Sequence, residues 1–310
     1  VPVLEQYNWD IDIDDRRDYS ITFDFPLCVE DTFADKSWPK GHPMEGQPIM
    51  MRDYQVEIVN NYLSNPQCIQ EVATGAGKTI MTAALSWHAQ QYGRTIVIVP
   101  NKSLVTQTEK DYRNVGLDVG VFFGDRKEFG HTHTICTWQS LNVLLKNTKN
   151  GVGDVTIQDF IDDVVAVIVD EVHMAKADAL KTLLTGIMSR VPIRWGLTGT
   201  IPKEKFESQA LLVSLGPVIG KLSANELQQQ GVLAQCHVNI VQLQDHVEYA
   251  NYQSELKYLL EESGRLDTMA TLIRQVNETG NTLVLVDRIS AGHALVERLG
   301  DKAVFVSGAT

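Results

Sequence analysis

The sequence lacks the features that mark secreted, membrane-spanning and zinc-binding proteins. Only four cysteines occur in 310 residues, and they are far apart with no C-x-x-C pair: Cys28, Cys68, Cys136 and Cys236. This spacing excludes a disulfide framework and a cysteine-based zinc module, and it fits a reduced compartment. No run approaches the roughly 18 consecutive apolar residues of a transmembrane helix, and no signal-peptide pattern opens the chain. We therefore expect a cytoplasmic protein with no membrane partner.

Positive charge is also scarce. Lys and Arg number 27 against 39 Asp and Glu, which gives a net charge of −12. Such a balance argues against binding of nucleic acid through a broad basic surface. The first 48 residues, however, contain eleven of the acidic side chains and only four basic ones. The remainder is mildly acidic and leaves room for a local basic track.

Three segments differ in pattern. Residues 1–48 are acidic and proline-containing, and we interpret them as an N-terminal element and linker, which could be the remnant of an N-terminal domain. Residues 49–230 alternate β-branched apolar runs with helical patterns, which predicts an α/β domain with a RecA-like doubly wound parallel sheet. Residues 231–310 begin the same pattern again, so we expect an incomplete second RecA-like domain.

The periodicity also predicts individual elements. Strands are expected at 68–72, 95–99, 119–123, 134–137, 164–169, 193–197, 237–243, 282–286 and 303–306. Helices are expected at 52–63, 78–91, 103–114, 139–146, 177–188, 249–261, 266–277 and 291–299. His131 and His133 form an H-x-H pair without further ligands nearby, and we expect them in a loop or at a strand edge rather than on a metal.

A glycine-rich turn at 73–79 lies between a predicted strand and a predicted helix. In such a turn, backbone N–H groups and the helix N-terminus bind phosphate, Lys78 reaches the β- and γ-phosphates, and the Thr79 hydroxyl binds Mg²⁺. Val72 occupies the position of the first glycine of the G-x-x-x-x-G-K-[ST] pattern. The alternative is an ordinary glycine-rich turn. The candidate ATP-binding residues of the turn are Thr74, Gly75, Ala76, Gly77, Lys78 and Thr79.

Two adjacent carboxylates follow the apolar run at 164–169. At the end of a buried strand, Asp170 is placed to bind the Mg²⁺ of a nucleotide, and Glu171 is placed to orient and deprotonate an attacking water. The alternative is a solvated turn or a pair of helix-capping groups. The upstream phosphate-binding turn favours the first interpretation.

Further segments occur in a recognisable order: Arg52-Asp53-Tyr54-Gln55, the turn at 73–79, 100–107, Cys136-Thr137-Trp138-Gln139-Ser140, 170–173 and Gly196-Leu197-Thr198-Gly199-Thr200. In this order they resemble the motifs of superfamily 2 helicases and translocases of the DExH type. The resemblance covers roughly residues 50–310. It implies that Gln55, and with it Arg52, binds the adenine edge, and that His173 completes the catalytic group of Lys78, Asp170 and Glu171.

The same resemblance implies which side chains serve the nucleic acid. Segments 100–107 and 136–140 face the nucleic-acid backbone in the family, and segment 196–200 couples the nucleotide site to the strand-binding site. The residues concerned are Lys102, Gln107, Thr137, Gln139, Thr198 and Thr200. Hydroxyls, amides and a lysine are typical of backbone contact without base reading.

Within superfamily 2 the sequence most resembles the UvsW family of bacteriophage recombination helicases. This implies an ATP- and Mg²⁺-dependent hydrolase that acts on branched or single-stranded DNA and on RNA:DNA hybrids, in fork regression, branch migration or repair. A phage-encoded protein would work in the host cytoplasm. Two alternatives stay open: a double-strand DNA translocase that does not separate strands, and a nucleotide-gated nucleic-acid-binding module.

One departure from the family concerns its last motifs. Motifs V and VI, with their arginine fingers, are expected beyond Thr310. An arginine finger contributes about 10³ to 10⁵ in rate in related phosphate-cleaving enzymes. We therefore expect the 310-residue chain alone to bind ATP weakly and to hydrolyse it slowly.

Overall fold

The computed structural model describes residues 10, 12, 22–174, 177–244 and 248–307. Contacts between residues divide the chain into two compact units, Val1–Cys236 and His237–Thr310. The first unit contains an eight-stranded, mostly parallel sheet with helices packed on both faces. This is the RecA-like α/β fold expected from the alternating pattern. The domain limits at 48 and 230 stay predictions.

Ten strands lie in the described part of the first unit. Their bounds are β1 Phe33–Ser37, β2 Pro48–Ile49, β3 Gln67–Val72, β4 Arg94–Val99, β5 Val119–Phe123, β6 Arg126–Lys127, β7 His133–Thr137, β8 Val164–Val169, β9 Ile193–Thr198 and β10 Val218–Leu222. Strands β1 and β2 form a separate antiparallel pair. The large sheet has the order β10-β3-β9-β8-β4-β7-β5-β6, and only the β5–β6 pair in it is antiparallel.

Eleven α-helices are formed by the described residues. Their bounds are α1 Asp53–Leu63, α2 Lys78–Ala89, α3 Lys102–Asn114, α4 Trp138–Lys149, α5 Ile157–Ile161, α6 Ala177–Thr185, α7 Lys205–Leu215, α8 Ala224–Gln229, α9 Tyr252–Glu261, α10 Ser263–Asn277 and α11 Ile289–Leu299. Two short 3₁₀ turns follow β8 and α11, at Val172–Met174 and Gly300–Lys302. None of the helices in the described part of the chain has the length and apolar character to cross a membrane.

The strands are apolar on both faces because each face has its own core. Along β4, Val97 and Val99 belong to one core, whereas Ile96 and Ile98 belong to the other. Helices α1, α2 and α3 contribute to the first core, and α4 to α7 contribute to the second. This double burial explains why β4 and β8 are continuous runs of aliphatic residues rather than alternating ones.

The strand order brings together loops that are distant in sequence. Strand β9 lies between β3 and β8, although it follows β8 in the chain. Because these strands are parallel, the loops after β3, β8 and β9 leave the sheet at the same edge. Those loops begin with the segments at 73–79, 170–173 and 199–200.

The described part of the N-terminal segment is packed on the first core. Cys28 and Phe33 are each 2% exposed. The Asn60 side chain on α1 accepts a hydrogen bond from the Cys28 N–H and donates one to its carbonyl oxygen. The Tyr92 hydroxyl makes the same two-way contact with the Asp24 backbone. Most of residues 1–21 lie outside the described residues.

The second unit differs from the sequence prediction in its strands. Helices α9, α10 and α11 form near their predicted positions and pack around Leu266, Ala270 and Leu295. The expected strands at 237–243, 282–286 and 303–306 are not formed in the described part of this unit. Leu283, for example, is 86% exposed. An apolar β-branched run becomes a strand only when a neighbouring strand accepts its backbone hydrogen bonds, which the sequence pattern alone does not specify.

Several elements of the first unit have no counterpart in the sequence prediction: β1, β2, β6, α5, α7, α8 and β10. Helix α7 and strand β10 show why. Helix α7 exposes Phe206, Leu212 and Val213, so its apolar residues do not mark one buried face. Strand β10 is short, contains Gly220 and is largely exposed at the sheet edge. Both therefore lack the periodic signal on which the prediction depended.

Two histidines are buried in the first unit. His133 lies on β7 between β4 and β5 and is fully buried, so the expectation of a loop or strand-edge position for it was wrong. Its ring nitrogens contact Thr95 Oγ1 and Gln90 Oε1, and burial lowers its pKa to about 4. His88 on α2 is 1% exposed, and neither ring nitrogen has a hydrogen-bond partner. No metal-binding cluster of His, Cys, Asp or Glu occurs among the described residues.

The His88 ring predicts a pH-dependent stability. Burial lowers its pKa to about 4, from about 6.5 in the unfolded chain. Protonation of the unfolded chain therefore removes stability as the pH falls from 6.5 toward 4. His88→Leu should reduce the loss of unfolding free energy between pH 7 and pH 5 by about 2 kcal/mol. Tryptophan fluorescence reports the unfolding of the first unit, which contains His88, because all five tryptophans precede residue 196.

The matched control for this prediction is the exposed His237. His237→Leu should leave the pH dependence of tryptophan-detected unfolding unchanged. An equal pH dependence in the His88→Leu variant and the unsubstituted protein would contradict the prediction.

Candidate active site

The turn at 73–79 has the backbone of an anion cradle. Gly75 and Gly77 have φ angles of 86° and 82°, in the left-handed region that favours glycine. Helix α2 begins directly after Gly77, and no side chain caps its N-terminus. The first N–H groups of a helix have no intrahelical acceptor, so those of α2 are available to phosphate.

Lys78 is held at this turn by an acidic partner. Its side chain is 8% exposed, and Nζ lies 2.8 Å from Glu171 Oε1 and 3.4 Å from the Val72 carbonyl oxygen. The contact connects the loop after β3 with the loop after β8, across the end of β9. The structure thus brings together two residues that the sequence analysis assigned to one catalytic group.

Asp170 and Glu171 lie at the end of β8. The Asp170 N–H donates to the Ile98 carbonyl oxygen, so the sheet pairing of β8 continues into the carboxylate pair. Burial and the neighbouring Glu171 charge raise the pKa of Asp170 to about 6, and Lys78 partly offsets this shift. Glu171 has a left-handed φ of 50°, and its Oε2 is buried without a hydrogen-bond partner.

These carboxylates fit a Mg²⁺ ion. Lys78 is the one ammonium that compensates both carboxylates, and it leaves Asp170 with a raised pKa and Glu171 Oε2 without a hydrogen-bond partner. Mg²⁺ prefers oxygen ligands, and Asp170 together with the Thr79 hydroxyl would supply them. Thr79 is the second residue of α2, directly after Lys78.

A chain of contacts joins the carboxylates to the loop after β9. His173 Nδ1 lies 3.4 Å from Glu171 Oε2 and 2.7 Å from Thr198 Oγ1, and only the second is a hydrogen bond. The Thr198 hydroxyl in turn donates to the Thr200 carbonyl oxygen and accepts from the Thr200 N–H. His173, Thr198 and Thr200 are therefore brought together on the nucleotide side of the sheet edge.

The loop after β9 also touches the phosphate turn. A Cβ atom at Gly199 would lie 3.2 Å from Thr74 Oγ1, so the two loops are in close approach. Together with the contact between His173 and Thr198, this approach gives the loop at 199–200 two connections to the nucleotide side. A coupling role is consistent with both connections and stays a prediction.

Gln55 contacts the phosphate turn directly. It is 5% exposed, its Nε2 donates to the Ala76 carbonyl oxygen at 2.8 Å, and its Oε1 accepts from the Arg52 N–H. Arg52 is exposed beside it. The expected contact of both residues with adenine stays a prediction. Sequence reasoning missed Tyr54, whose hydroxyl donates to the same carbonyl oxygen, because a tyrosine in the first turn of a helix is indistinguishable in sequence from a core residue.

Two of the expected nucleic-acid contacts are exposed together at the sheet edge. Strands β4 and β7 are neighbours, with Val99 opposite Thr137. Lys102 is the exposed first residue of α3, after β4. Gln139 is exposed near the start of α4, after β7, and its Nε2 donates to the Pro100 carbonyl oxygen at 3.5 Å. The two segments therefore form one surface.

The other two expected contacts are placed differently. Thr137 is 5% exposed, and its hydroxyl accepts from the Ser140 N–H as the N-cap of α4. Gln107 is exposed but lies five residues after Lys102 on α3, which is roughly 140° around the helix. The structure thus does not bring Thr137 and Gln107 to the surface formed by Lys102 and Gln139.

Comparison with known proteins identifies a family and two similar proteins. Residues 48–203 match the family described as "Type III restriction enzyme, res subunit". The chain is 26% identical over 186 residues to the DNA 3'-5' translocase XPB2 of Sulfurisphaera tokodaii, covering 60% of this chain and 38% of that protein. It is 26% identical over 218 residues to the DNA 3'-5' helicase XPB of Kineococcus radiotolerans, covering 68% and 37%. The chain thus spans less than two fifths of either relative.

Solved structures show the same fold. The UvsW helicase from bacteriophage T4 superposes with a TM-score of 0.52 at 16% identity, covering 71% of this chain and 75% of that one. A second structure of T4 UvsW gives a TM-score of 0.51 at 17% identity and covers 99% of this chain. At this level of identity the likeness concerns the fold alone.

The raised pKa of Asp170 predicts a conflict between stability and Mg²⁺ binding. The pKa of Asp170 is higher in the folded chain than in the unfolded chain, so its ionisation lowers the unfolding free energy at pH 7. Well below pH 4 the carboxyl is protonated in both states and this loss disappears. Asp170→Asn should raise the unfolding free energy at pH 7 by about 2 kcal/mol, or the melting temperature by about 5 °C. The same substitution should abolish Mg²⁺-dependent ATP binding, measured by calorimetry.

The control substitutes the exposed Asp125, in the turn between β5 and β6. Asp125→Asn should change neither the melting temperature nor ATP binding. A destabilised Asp170→Asn variant that still binds ATP with Mg²⁺ would contradict both parts of the prediction.

The exposed position of Lys102 predicts a sequence-independent effect on DNA binding. Lys102→Ala should weaken binding by a similar factor on DNA of different sequences and reduce the salt dependence by about one counterion. Fluorescence anisotropy across a salt series measures both. Lys110→Ala, elsewhere on the same helix, is the control and should have a smaller effect. Loss confined to one DNA sequence would show that Lys102 reads bases.

Proposed function

The chain belongs to the family of the type III restriction enzyme res subunit, within superfamily 2, and we propose that it is the ATP-binding part of a DNA motor. The single observation that carries the proposal is the 2.8 Å contact between Lys78 and Glu171. It brings a phosphate cradle and a carboxylate pair to one edge of a parallel sheet, where α/β proteins bind their ligands. The exposed surface of Lys102 and Gln139 lies along the same edge.

Each residue has a role in this proposal. Lys78 and the N–H groups of the turn hold the β- and γ-phosphates. Mg²⁺, bound by Asp170 and Thr79, would neutralise phosphate charge. Glu171 orients the attacking water and accepts its proton at a carboxylate oxygen, for which it must exchange the Lys78 ammonium for the water. His173 is hydrogen-bonded to Thr198 and holds the loop after β9 next to this carboxylate.

DNA is the proposed nucleic acid. Both curated relatives are named for action on DNA, and the UvsW structures share the fold. The proposed substrates include branched DNA and RNA:DNA hybrids, and the proposed outcome is fork regression or branch migration. The proposed location is the cytoplasm, where ATP and DNA are both available. Translocation on double-stranded DNA without strand separation is the second candidate, because one relative is named a translocase.

A nucleotide-gated binding module is less consistent with the site. Such a module needs a phosphate cradle but has no use for a water-orienting carboxylate. Glu171 is half-buried, has a left-handed φ angle and contacts Lys78, so the fold holds it in a conformation that costs stability. A residue kept under strain at a phosphate site favours hydrolysis over binding alone.

The proposed role of Glu171 predicts a separation of binding from turnover. In the full-length gene product, Glu171→Gln should lower DNA-stimulated ATP hydrolysis by about 10²-fold or more, because it removes the proton acceptor. ATP binding should persist, because Lys78 and the turn are unchanged. Phosphate release and calorimetry measure the two effects. Glu57→Gln, an exposed position on α1, is the control.

A Glu171→Gln variant that retains hydrolysis would reject the catalytic assignment. Strand displacement on forked DNA and on RNA:DNA hybrids distinguishes the two candidate functions. Displacement driven by ATP supports the helicase. ATP hydrolysis and movement on duplex DNA without displacement support the translocase.

A further inference from the structure

A pair of side chains on α1 fixes the direction of one peptide group in the phosphate turn. We propose that Tyr54 is a positioning residue that, together with Gln55, turns the Gly77 N–H into the phosphate cradle, and that Arg52 acts on the phosphates through Tyr54. The inference rests on the proposed ATP site. It adds a residue that the motif does not include, and it gives Arg52 a function other than base contact.

The contacts converge on one carbonyl oxygen. The Tyr54 hydroxyl donates to the Ala76 carbonyl oxygen at 3.1 Å, and Gln55 Nε2 donates to the same atom at 2.8 Å. The Tyr54 hydroxyl also accepts from the Arg52 guanidinium, with 2.9 Å between Nη1 and the phenolic oxygen. Arg52, Tyr54 and Ala76 thus form a continuous hydrogen-bonded chain that ends in the turn.

The geometry of the peptide group determines where the Gly77 N–H points when the Ala76 carbonyl is held by these two donors. In a planar trans peptide, the carbonyl of Ala76 and the N–H of Gly77 point in opposite directions. Two donors that hold the carbonyl toward α1 therefore hold the Gly77 N–H away from α1. Glycines at 75 and 77 give this peptide its freedom, so an external restraint is needed to keep one orientation.

The two side chains that hold the Ala76 carbonyl are themselves fixed by burial. Tyr54 is 7% exposed and Gln55 is 5% exposed, so neither side chain is free to reorient. Gln55 Oε1 accepts from the Arg52 N–H, which fixes the amide orientation. A Cβ atom at Gly77 would lie 2.6 Å from Gln55 Nε2, so the amide is pressed against the turn. Only Arg52 at the far end is exposed.

Arg52 is the exposed end of this series of hydrogen bonds, so a change at Arg52 can act on the turn through Tyr54. A guanidinium that donates to the Tyr54 hydroxyl polarises it and strengthens the bond that the hydroxyl donates to Ala76. Removing the guanidinium should therefore weaken phosphate binding even for a ligand that has no base. A direct contact between Arg52 and adenine makes the opposite prediction, since it would affect only ligands that contain the base.

The experiment measures dissociation constants for Mg²⁺-ATP and for Mg²⁺-tripolyphosphate, which has no base, by calorimetry on the full chain. Tyr54→Phe removes only the hydroxyl and should weaken both ligands by about three- to tenfold, the usual net effect of one hydrogen bond. Tyr92→Phe is the matched control, because its hydroxyl contacts the Asp24 backbone. It should leave both constants unchanged.

Arg52→Ala and the double variant test the relay. Arg52→Ala should weaken tripolyphosphate as well as ATP, and its effect on tripolyphosphate should disappear in the Tyr54→Phe background. Because Arg52 is exposed, the single variant Arg52→Ala stays informative even where Tyr54→Phe impairs folding. An effect of Arg52→Ala on ATP alone would overturn the relay, and unchanged binding of both ligands by Tyr54→Phe would overturn the positioning role. Failure of the unsubstituted protein to bind either ligand would instead reject the ATP site.

Discussion

The contact between Lys78 and Glu171 is the interaction on which the site depends. It joins two loops that the chain places on opposite sides of β9, and it buries a positive and a negative charge at the same sheet edge. A lysine that is 8% exposed requires an anionic partner, because an unpaired buried ammonium is costly. That partner is Glu171. In the proposed function a bound phosphate would supply another anion to Lys78 and would free Glu171 to contact water.

The properties of the neighbouring carboxylates are consistent with this exchange of partners. Two carboxylates, Asp170 and Glu171, face the single ammonium of Lys78 at this edge, and burial together with the Glu171 charge raises the pKa of Asp170. The excess is what a nucleotide with its Mg²⁺ would relieve. The left-handed φ angle of Glu171 costs further stability and keeps the carboxylate directed toward the turn. A site built in this way is less stable when empty than when occupied.

Sequence alone predicted the sheet domain, and it selected the loops at 73–79 and 170–173, which the structure brings together, because both have strong local signals. Apolar runs such as 164–169 mark strands buried on both faces, and a Gly-Lys-Thr turn followed by an Asp-Glu pair at the end of a later buried strand is a specific combination. The position of Tyr54 was not predictable, since its hydroxyl matters only through a contact with Ala76, made by tertiary folding. The prediction of strands in the second unit was wrong for a related reason. The run at 282–286 has the composition of a strand, but it has no neighbouring strand to pair with among the described residues.

A crystal structure with a non-hydrolysable ATP analogue and Mg²⁺ tests the central claim most directly. The structure predicts that Lys78 Nζ leaves Glu171 Oε1, from which it is now 2.8 Å away, and binds a phosphate oxygen, while Asp170 approaches the metal ion. Glu171 should then contact a water near the terminal phosphate. An analogue bound elsewhere, or one bound in the turn with the contact between Lys78 and Glu171 intact, would contradict the assignment of this edge as a site of ATP hydrolysis.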